Sequence, residues 1–554
     1  MRSGAVEIIR AALGSAIKEG VIKGERLPEI IIERPKKDEF GDFSTNIAML
    51  LAPLEKKAPR EVASALVGRI ASDPLVEKCE VAGPGFINIF LKKSYWLSIL
   101  ERIISKGGDF GKSTLGQGKR VQVEFVSANP TGPLHIGHGR GAAVGDSLAN
   151  ILKAAGFEVT KEYYINDVGR QMEVLGRSVF LRYKELLGEK IEMPEEAYKG
   201  EYIKDIARDF ILKFGDKYKV SSEAEAIPAF SAFSGAAMLD RIRKDLKDFG
   251  IEFDAWYSEK SLHEKGLVTA TIEELKKRGH IYEAEGALWF RTTEFGDDKD
   301  RVLIKADGSM TYFSSDIAYH RDKVERGFST LVDVWGADHH GYEARVRALI
   351  KALGYDDSVL KVIFIQLVAL LRKGVPVPMG KREGEFVTLR QVMEEVGTDA
   401  CRFFFLMRRS DAHLDFDLEL AKSQAPENPV YYVQYCHARI HSIIGFAKEK
   451  GMEPPARFDL KLLERLDLKE ETDIIKHLGS FEEVVERGAE AMEPHRITFY
   501  LMELAGLFHP YYNKNRVVTE DRELTDARLL LCGAVATVAA NGLSLLGVSA
   551  PVKM

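Results

Sequence analysis

The most constraining feature of the sequence is a short motif with two histidines between a predicted strand and a predicted helix. Residues 121–126 are apolar and β-branched, residues 139–154 have helical apolar spacing, and the motif His-Ile-Gly-His occupies residues 135–138 behind a loop rich in Pro and Gly. A strand, a loop and a helix in this order are typical of the start of a nucleotide-binding α/β layer. The feature therefore predicts a parallel sheet covered by helices.

The two imidazoles of this motif can face the same anion. His135 and His138 are three residues apart at the start of the predicted helix, where backbone N–H groups favour negative charge. Gly137 lets a nucleotide approach the backbone closely. Such a site can stabilise charge that develops on a triphosphate. The alternative interpretation, two surface histidines at a helix cap, stays open at this point.

A second Gly-rich stretch resembles a phosphate-binding loop but fails the spacing test. Residues 107–113 read Gly-Gly-Asp-Phe-Gly-Lys-Ser, and residue 106 is a lysine. A P-loop needs four residues between its first glycine and the Gly-Lys pair. We therefore interpret residues 105–118 as a linker and predict a domain boundary near residue 112.

Charge, cysteine content and hydropathy narrow the function classes. The 78 Lys and Arg and 84 Asp and Glu leave a net charge of -6, so a nucleic-acid partner must meet a local basic face. The four cysteines form no CxxC pair, which suits a cytoplasmic protein and excludes a disulfide framework. Residues 529–548 carry no charge over a bilayer-length stretch. Their Gly, Thr, Asn and Ser content favours the core helix of a bundle, so no membrane partner is expected.

The length of 554 residues predicts several domains, and the pattern along the chain predicts an α/β protein with three of them. Residues 1–112 form a small α+β domain. Residues 113–420 form a Rossmann-like domain with a parallel sheet and a helical insertion. Residues 421–554 contain only helical patterns and form an all-α bundle. Strand patterns expected to continue the parallel architecture of the middle domain lie at residues 287–291, 302–304, 330–334 and 362–367.

The motif at residues 135–138 resembles the HIGH signature of the class I aminoacyl-tRNA synthetases. The KMSKS signature of that class is matched by residues 378–384, where Lys381 keeps the second lysine while Pro378 and Gly380 replace the first lysine and the serine. The resemblance implies that His135, His138 and Lys381 are catalytic. It implies that ATP is bound by His135, Gly137, His138, Met379, Lys381 and Arg382.

Further blocks resemble the arginine-specific members of this class. They cover residues 39–44, 124–131, 164–171, 335–342, 428–439 and the C-terminal stretches 526–528 and 545–551. A guanidinium is a planar, always charged fork of donors, so its pocket needs carboxylates and an aromatic or acceptor wall. The resemblance implies that Glu124, Tyr312 and Asp316 face the substrate side chain. It implies that Ser127, Asn129 and His339 contact its amino and carboxylate groups.

The resemblance also implies the reaction. The carboxylate of L-arginine attacks the α-phosphate of ATP, and the 3′-terminal adenosine of tRNA(Arg) then receives the arginyl group. ATP with Mg²⁺ is the expected nucleotide substrate, no tightly bound metal is expected, and the chain is expected to act as a monomer. The N-terminal domain is expected at the outer corner of the tRNA and the bundle at the anticodon. The residues expected to stack on or pair with anticodon bases are Tyr431, Tyr432, Tyr435, Arg439 and Met554.

Three alternatives remain open from the sequence. The Tyr and Met side chains of the last domain also suit core packing. A different nucleotidyltransferase with a His-x-Gly-His motif, such as a small-molecule adenylyltransferase, would not need the terminal helical domain. A non-catalytic RNA-binding relative would be marked by loss of the two histidines, and this sequence keeps both.

Overall fold

The computed structural model describes residues 2–24, 27–35, 37–377, 387–453, 455 and 459–554. Its N-terminal part is an antiparallel sheet packed on helices. The elements are α1 (Arg2–Lys18), β1 (Ile32–Glu33), β2 (Phe43–Thr45), α2 (Ile47–Glu55), α3 (Pro59–Ala71), β3 (Val76–Ala82), β4 (Phe86–Leu91) and α4 (Lys93–Lys106). The strand order is β1-β2-β4-β3, and all pairs are antiparallel. This agrees with the predicted α+β unit.

The middle part is built on a parallel five-stranded sheet. Its elements are β5 (Arg120–Glu124), α5 (Ile136–Ala154), β6 (Glu158–Ile165), α6 (Arg170–Leu186), α7 (Glu201–Phe214), α8 (Glu223–Asp248), β7 (Ala255–Ser258), α9 (Glu259–Glu264), α10 (Leu267–Lys277), β8 (Ile281–Ala284), β9 (Ala287–Phe290), β10 (Arg301–Ile304), α11 (Tyr312–Glu325), β11 (Thr330–Gly336), α12 (Glu343–Ala352), β12 (Leu360–Ile365), β13 (Val368–Arg372), β14 (Val375–Pro376), α13 (Leu389–Val396), α14 (Thr398–Phe405), β15 (Leu414–Asp417) and α15 (Leu418–Lys422).

The strand order of this sheet positions the site. The order is β12-β11-β5-β6-β7, and every neighbouring pair is parallel. The chain runs from β5 to β6 and β7 in one direction, and β11 and β12 are added on the other side. Ligands of such sheets bind beyond the carboxyl ends of the strands where the order reverses. Here that crevice lies between β5 and β11, and the predicted Rossmann-like fold is confirmed.

Two of the predicted parallel strands belong elsewhere. The patterns at residues 287–291 and 302–304 form β9 and β10, which with β8 make a separate antiparallel sheet. The reason is the two-residue turn between β8 and β9, where Glu285 and Gly286 both have positive φ, of 54° and 74°. Such a turn joins antiparallel neighbours. The prediction of parallel architecture was wrong at these two strands and holds again from β11.

The helical insertion and the last part of the chain are as predicted. Helices α6, α7 and α8 share their own apolar core, formed around Phe180, Phe210 and Phe230. The C-terminal elements are α16 (Pro429–Glu449), α17 (Leu460–Leu463), α18 (Lys469–Leu478), α19 (Phe481–Ala491), α20 (His495–Lys514) and α21 (Arg522–Leu545). Among the residues described after Asp417, no strand is present.

Helix α21 contains the uncharged stretch. It is long and apolar enough to cross a membrane by length and composition, and 67% of its most apolar window is buried inside the protein. It packs on α16, α20 and α4. Burial of this kind is what the core helix of a bundle shows, because the apolar surface is already removed from water. This agrees with the predicted bundle core.

The Gly-rich linker is pinned to the C-terminal bundle. The side-chain amide of Asn541 donates to the carbonyls of Gly107 and Phe110, at 2.9 Å each. The ring of Phe110 stacks on Phe481 with 6.3 Å between centroids. A Cβ on Gly111 would stand 2.4 Å from the Phe481 ring, and Gly111 has a φ of +102°. The glycine therefore allows close packing and a left-handed turn, which explains its presence without a phosphate.

Replacing Asn541 by alanine tests the contribution of its two hydrogen bonds to the linker. The two linker carbonyls lose their donor, so the free energy of unfolding is expected to fall by about 1–3 kcal/mol. Asn513→Ala is the control, because Asn513 is an exposed residue near the end of α20. Chemical denaturation of both variants measures the difference. Equal stability of the two variants would contradict the proposed role of Asn541.

Candidate active site

The two histidines of the motif cap α5 by hydrogen bonds to each other's backbone. His135 Nδ1 accepts from the N–H groups of Gly137 and His138, at 3.1 and 3.4 Å. His138 Nδ1 accepts from the N–H of His135 at 3.3 Å. The two rings stack with 3.6 Å between centroids. Because each Nδ1 is an acceptor, the proton of each neutral imidazole resides on Nε2, which can donate to a ligand.

Both imidazoles are held neutral. Burial lowers the pKa of His135, and burial together with the neighbouring His135 lowers the pKa of His138 to about 3. A Cβ on Gly137 would lie 3.0 Å from His135 Cε1, so a larger residue would crowd the stacked pair. The site therefore offers neutral N–H donors at a helix N-terminus, which suit an anionic phosphate.

The segment after the second predicted signature lies against the histidines. The N–H of Leu389 donates to the carbonyl of Leu134 at 2.7 Å, and the N–H of Ile136 donates to the carbonyl of Val387 at 3.4 Å. Thr388 caps α13 through its side chain and pairs with His135 as an isolated bridge. The predicted ATP-binding residues Met379, Lys381 and Arg382 lie outside the described residues.

The strand β5 ends in a strained turn that holds Ser127. Val126 and Ser127 both have positive φ, of 68° and 38°, a conformation that is costly for residues other than glycine. The Ser127 hydroxyl donates to Glu124 Oε1 at 2.8 Å and accepts from the N–H of Tyr164 at 3.1 Å. These bonds bring two predicted arginine-binding residues together, Glu124 and Ser127. Strain of this kind is concentrated at functional sites.

Asp316 is the second predicted carboxylate, and it has a partner that the sequence analysis did not assign. The hydroxyl of Tyr342 donates to Asp316 Oδ2. Burial raises the pKa of Asp316, and the negative charge of Glu124 raises it further. The charge of Glu124 therefore acts on Asp316. A cation placed near both carboxylates would lower the pKa of Asp316.

The other three predicted arginine-binding residues are spread along the rim. Asn129 donates to Gln171 Oε1 at 2.7 Å. Tyr312 is 57% exposed, and its hydroxyl lies 3.7 Å from where a Cβ on Gly169 would stand. His339 is exposed, with its Nε2 3.6 Å from Asp338 Oδ2. No hydrogen bond or ion pair joins His339 to Asp316 within the described part of the chain.

A buried lysine underlies the pocket. Lys323 is fully buried and forms ion pairs with Glu124 Oε2 and with Asp333 Oδ1, the latter at 2.7 Å. Asp333 also accepts a hydrogen bond from His320 at 3.0 Å. Together, Glu124, Lys323, Asp333 and His320 form a network that fixes one oxygen of Glu124. Its other oxygen accepts from Ser127, so Glu124 is held in one orientation.

Glu259 adds a further buried carboxyl, which was not predicted from the sequence. It begins α9 and is only 4% exposed. Burial, with the charges of Asp316 and Asp167, raises its pKa to about 7, while Ser315 and Tyr164 act in the opposite direction. The crevice is therefore acidic and suited to a cationic guest. Of the missed residues, Tyr342 lies inside a quoted block, whereas Lys323 and Glu259 have no sequence signal of their own.

The predicted tRNA-binding side chains form an aromatic face on α16. Tyr431 stacks on Tyr435 with 5.6 Å between centroids. The Arg439 guanidinium lies 4.5 Å from the Tyr435 ring centroid and donates to His509 Nδ1 at 3.2 Å. Tyr432 packs on His509 with 4.5 Å between centroids. These rings are half-buried, so each has both a packed side and a solvent side. Met554 is 53% exposed.

The parallel sheet, with a His-Ile-Gly-His cap at its switch point, defines the catalytic domain of a class I aminoacyl-tRNA synthetase. The family model described as "tRNA synthetases class I (R), catalytic domain" matches residues 99–411. The model "Arginyl tRNA synthetase N terminal domain" matches residues 7–91, and "DALR anticodon binding domain" matches residues 433–554. The chain belongs to the arginyl-tRNA synthetase family.

Relatives of known name and structure agree with this assignment. The Arginine–tRNA ligase of Citrifermentans bemidjiense is 56% identical over 554 residues, 99% of this chain and 100% of the relative. That of Listeria monocytogenes serotype 4b is 51% identical over 97% of this chain and 98% of the relative. The structure of a putative arginyl-tRNA synthetase from Campylobacter jejuni is 37% identical with a TM-score of 0.77, covering 84% of this chain and 100% of the other. The predictions of the family and of arginine–tRNA ligase activity are confirmed.

The neutral state of His138 has a measurable consequence for stability. Its pKa is about 3 in the folded protein against an ordinary value of 6.5. Because the unfolded chain takes up the proton more readily, the stability contributed by neutral His138 is fully present above pH 6.5. It is lost as the pH falls from 6.5 towards 3.

His138→Asn removes this acid sensitivity. Between pH 7 and pH 5, the wild-type protein is expected to lose about 2 kcal/mol more of its free energy of unfolding than the variant. His280→Asn, a substitution of a histidine outside the site, is expected to leave the wild-type loss in place. Denaturation at the two pH values measures it, and equal losses for wild type and His138→Asn would show that His138 titrates normally.

Proposed function

We propose that the crevice at the carboxyl end of β5 activates L-arginine with ATP and that the arginyl group passes from there to the 3′-terminal adenosine of tRNA(Arg). The observation that carries the proposal is that the acidic pocket of Glu124 and Asp316 lies at the carboxyl end of β5, while His135 and His138 cap α5, the helix that follows β5. One half of the crevice suits a guanidinium and the other suits a triphosphate. The reaction joins these two substrates.

Recognition of arginine follows from the charges of the pocket. A guanidinium between Asp316 and Glu124 would compensate both carboxylates and offset the negative charge of Glu124 that helps to raise the pKa of Asp316. Tyr342 and Lys323 hold these carboxylates in place by donating to their second oxygens. The hydroxyl of Tyr312 at the rim supplies a further polar contact to the substrate side chain. Ser127, Asn129 and His339 are proposed to bind its amino and carboxylate groups.

Activation of arginine needs charge stabilisation and no covalent residue. The arginine carboxylate attacks the α-phosphate in line, and pyrophosphate leaves. The Nε2–H groups of His135 and His138 donate to phosphate oxygens as negative charge moves onto them. Lys381 and Arg382 are proposed, by family resemblance, to neutralise the β- and γ-phosphates.

Mg²⁺ is proposed to accompany ATP. Among the described residues, no group of three or more His, Cys, Asp or Glu side chains could hold a metal ion. Mg²⁺ is usually held by substrate phosphates, waters and one or two carboxylates and not by a protein cage. Bound in that way, the ion neutralises phosphate charge.

The tRNA is proposed to contact three domains. Residues 1–112 would meet its outer corner, residues 113–420 its acceptor end, and residues 421–554 its anticodon. The aromatic face of Tyr431, Tyr432 and Tyr435, with Arg439 and Met554, would stack on or pair with unstacked bases. The enzyme is proposed to act as a cytoplasmic monomer.

The deciding experiment measures arginine-dependent ATP–pyrophosphate exchange with and without tRNA, together with charging of tRNA. Exchange and charging are expected with arginine and tRNA present. His138→Ala is expected to lower kcat for both about 100- to 1000-fold, because a donor to the developing phosphate charge is lost. Binding of tRNA should stay within twofold. No exchange by the wild-type protein under any tRNA condition would overturn the proposal.

Asp316→Asn tests the arginine pocket. Removing the carboxylate leaves the guanidinium with one charged partner fewer, so the KM for arginine is expected to rise about 10- to 100-fold. The KM for ATP should change less than twofold. Asp307→Asn, in an exposed turn before α11, is the matched control. A KM for arginine unchanged in Asp316→Asn would place the guanidinium elsewhere.

A further inference from the structure

Arg402 joins three parts of the enzyme from a fully buried position in α14. Its Nε donates to the carbonyl of Leu546 at 2.8 Å, just after α21. Its Nη1 donates to the carbonyl of Phe249 at 3.1 Å, just after α8. Its Nη2 pairs with Asp146 Oδ2 at 2.5 Å, in the middle of α5. One guanidinium therefore ties the bundle, the helical insertion and the helix of the catalytic histidines.

The end of α21 rests on α5 through further bonds. The last carbonyls of a helix lack partners within the helix and must be satisfied from outside. Here Ser147 Oγ donates to the carbonyl of Leu546 at 3.3 Å, and Asn150 Nδ2 donates to that of Leu545 at 3.4 Å. Both donors lie on α5, so the core helix of the bundle ends directly on the helix that His135 caps.

The side chains that hold α5 at Asp146 are closely packed. Asp146 is also paired with Lys161 of β6 at 2.5 Å, so its carboxylate is held between the central sheet and Arg402. A Cβ on Gly547 would stand 2.2 Å from Arg402 Nη2. Close-packed interiors transmit displacements because they have little free volume. A shift of Arg402 would therefore shift α5.

The first turn of α14 is tied to α16, the helix that carries the aromatic face. Asp399 accepts from the N–H of Ser549 at 3.1 Å and from Gln434 Nε2 at 2.8 Å. His437 Nδ1 donates to the carbonyl of Pro551 at 2.8 Å. Gln434 and His437 lie on α16, the helix that carries Tyr431 and Tyr435. The C-terminal tail thus clamps α16 to α14 one helical turn from Arg402.

We propose that Arg402 is a positioning residue that carries the effect of tRNA bound on α16 to the histidines at the start of α5. This inference rests on the proposed binding of tRNA by α16. The contacts run from α16 through the tail to Asp399, through α14 to Arg402, and through Asp146 to α5. Bound tRNA favours the position of α5 in which His135 and His138 contact the phosphates of ATP. Arg402 itself contacts no substrate.

The test replaces Arg402 by lysine. Lysine keeps a positive charge beside Asp146 but has no planar fork, so it cannot also hold the carbonyls of Leu546 and Phe249. In tRNA-dependent ATP–pyrophosphate exchange, kcat is expected to fall about tenfold. The KM values for arginine and ATP, and the Kd for tRNA, are expected to stay within twofold.

Arg528→Lys is the matched control. Arg528 is also buried, pairs with Glu471 Oε1 at 2.9 Å and donates to the carbonyl of Arg516 at 2.7 Å, all within the bundle. It is expected to lower the thermal midpoint as much as Arg402→Lys while leaving kcat within twofold. Equal losses of kcat in the two variants would overturn the proposal, because general destabilisation would then explain both.

Asp399→Asn provides a second, milder variant that keeps the side-chain size. It is expected to lower the same kcat about threefold, and the double variant with Arg402→Lys is expected to be no slower than Arg402→Lys alone. Independent, multiplying effects would overturn the inferred route. If Arg402→Lys does not fold, an unchanged kcat in Asp399→Asn overturns it. Failure of the proposed function is separate, since the wild-type protein would then show no exchange.

Discussion

The cap that His135 makes on α5 is the interaction on which the rest of the catalytic site depends. By accepting backbone N–H groups with Nδ1, the imidazole starts the helix and carries its proton on Nε2. His138 repeats this arrangement in reverse by accepting from the N–H of His135. Each imidazole therefore has a structural role through Nδ1 and a chemical role through Nε2–H. The motif requires histidines at both ends because each must accept on one nitrogen and donate on the other.

Much of this could be predicted because the signals were local. The strand before the motif, the helix after it and the histidine spacing all lie within a few turns of chain, so residues 121–154 could be interpreted from the sequence. Three strands of the five-stranded parallel sheet, β5, β11 and β12, were likewise predicted from local strand patterns, whereas the strand order came from the structure. The linker at residues 105–118 could be distinguished from a phosphate-binding loop because spacing alone excluded it. Its docking on Asn541 and Phe481 could not be predicted, because those partners are far along the chain.

The features that were predicted wrongly or not at all are those that depend on contacts between residues far apart in the sequence. The strands at residues 287–291 and 302–304 have ordinary strand patterns, and only the tight turn at Glu285 and Gly286 makes their pairing antiparallel. Lys323 looks like a surface lysine on a helix, yet two carboxylates from two strands hold it fully buried. Glu259 likewise becomes part of an acidic crevice only when α9 packs beside α11. Such contacts produce no periodicity or spacing in the sequence from which they could be predicted.

By itself, the sequence determined the chemistry that the chain can carry. It determined the paired imidazoles, the carboxylates suited to a guanidinium, the alternation of strands and helices, and an apolar stretch that must be buried. The tertiary structure alone decided which carboxylates share a pocket, that Tyr342 and Lys323 orient them, and that the bundle ends on the helix of the histidines. The physical reason is that residue types and short periodicities are local, whereas burial, ion pairing and pKa depend on side chains that folding brings together from distant parts of the chain.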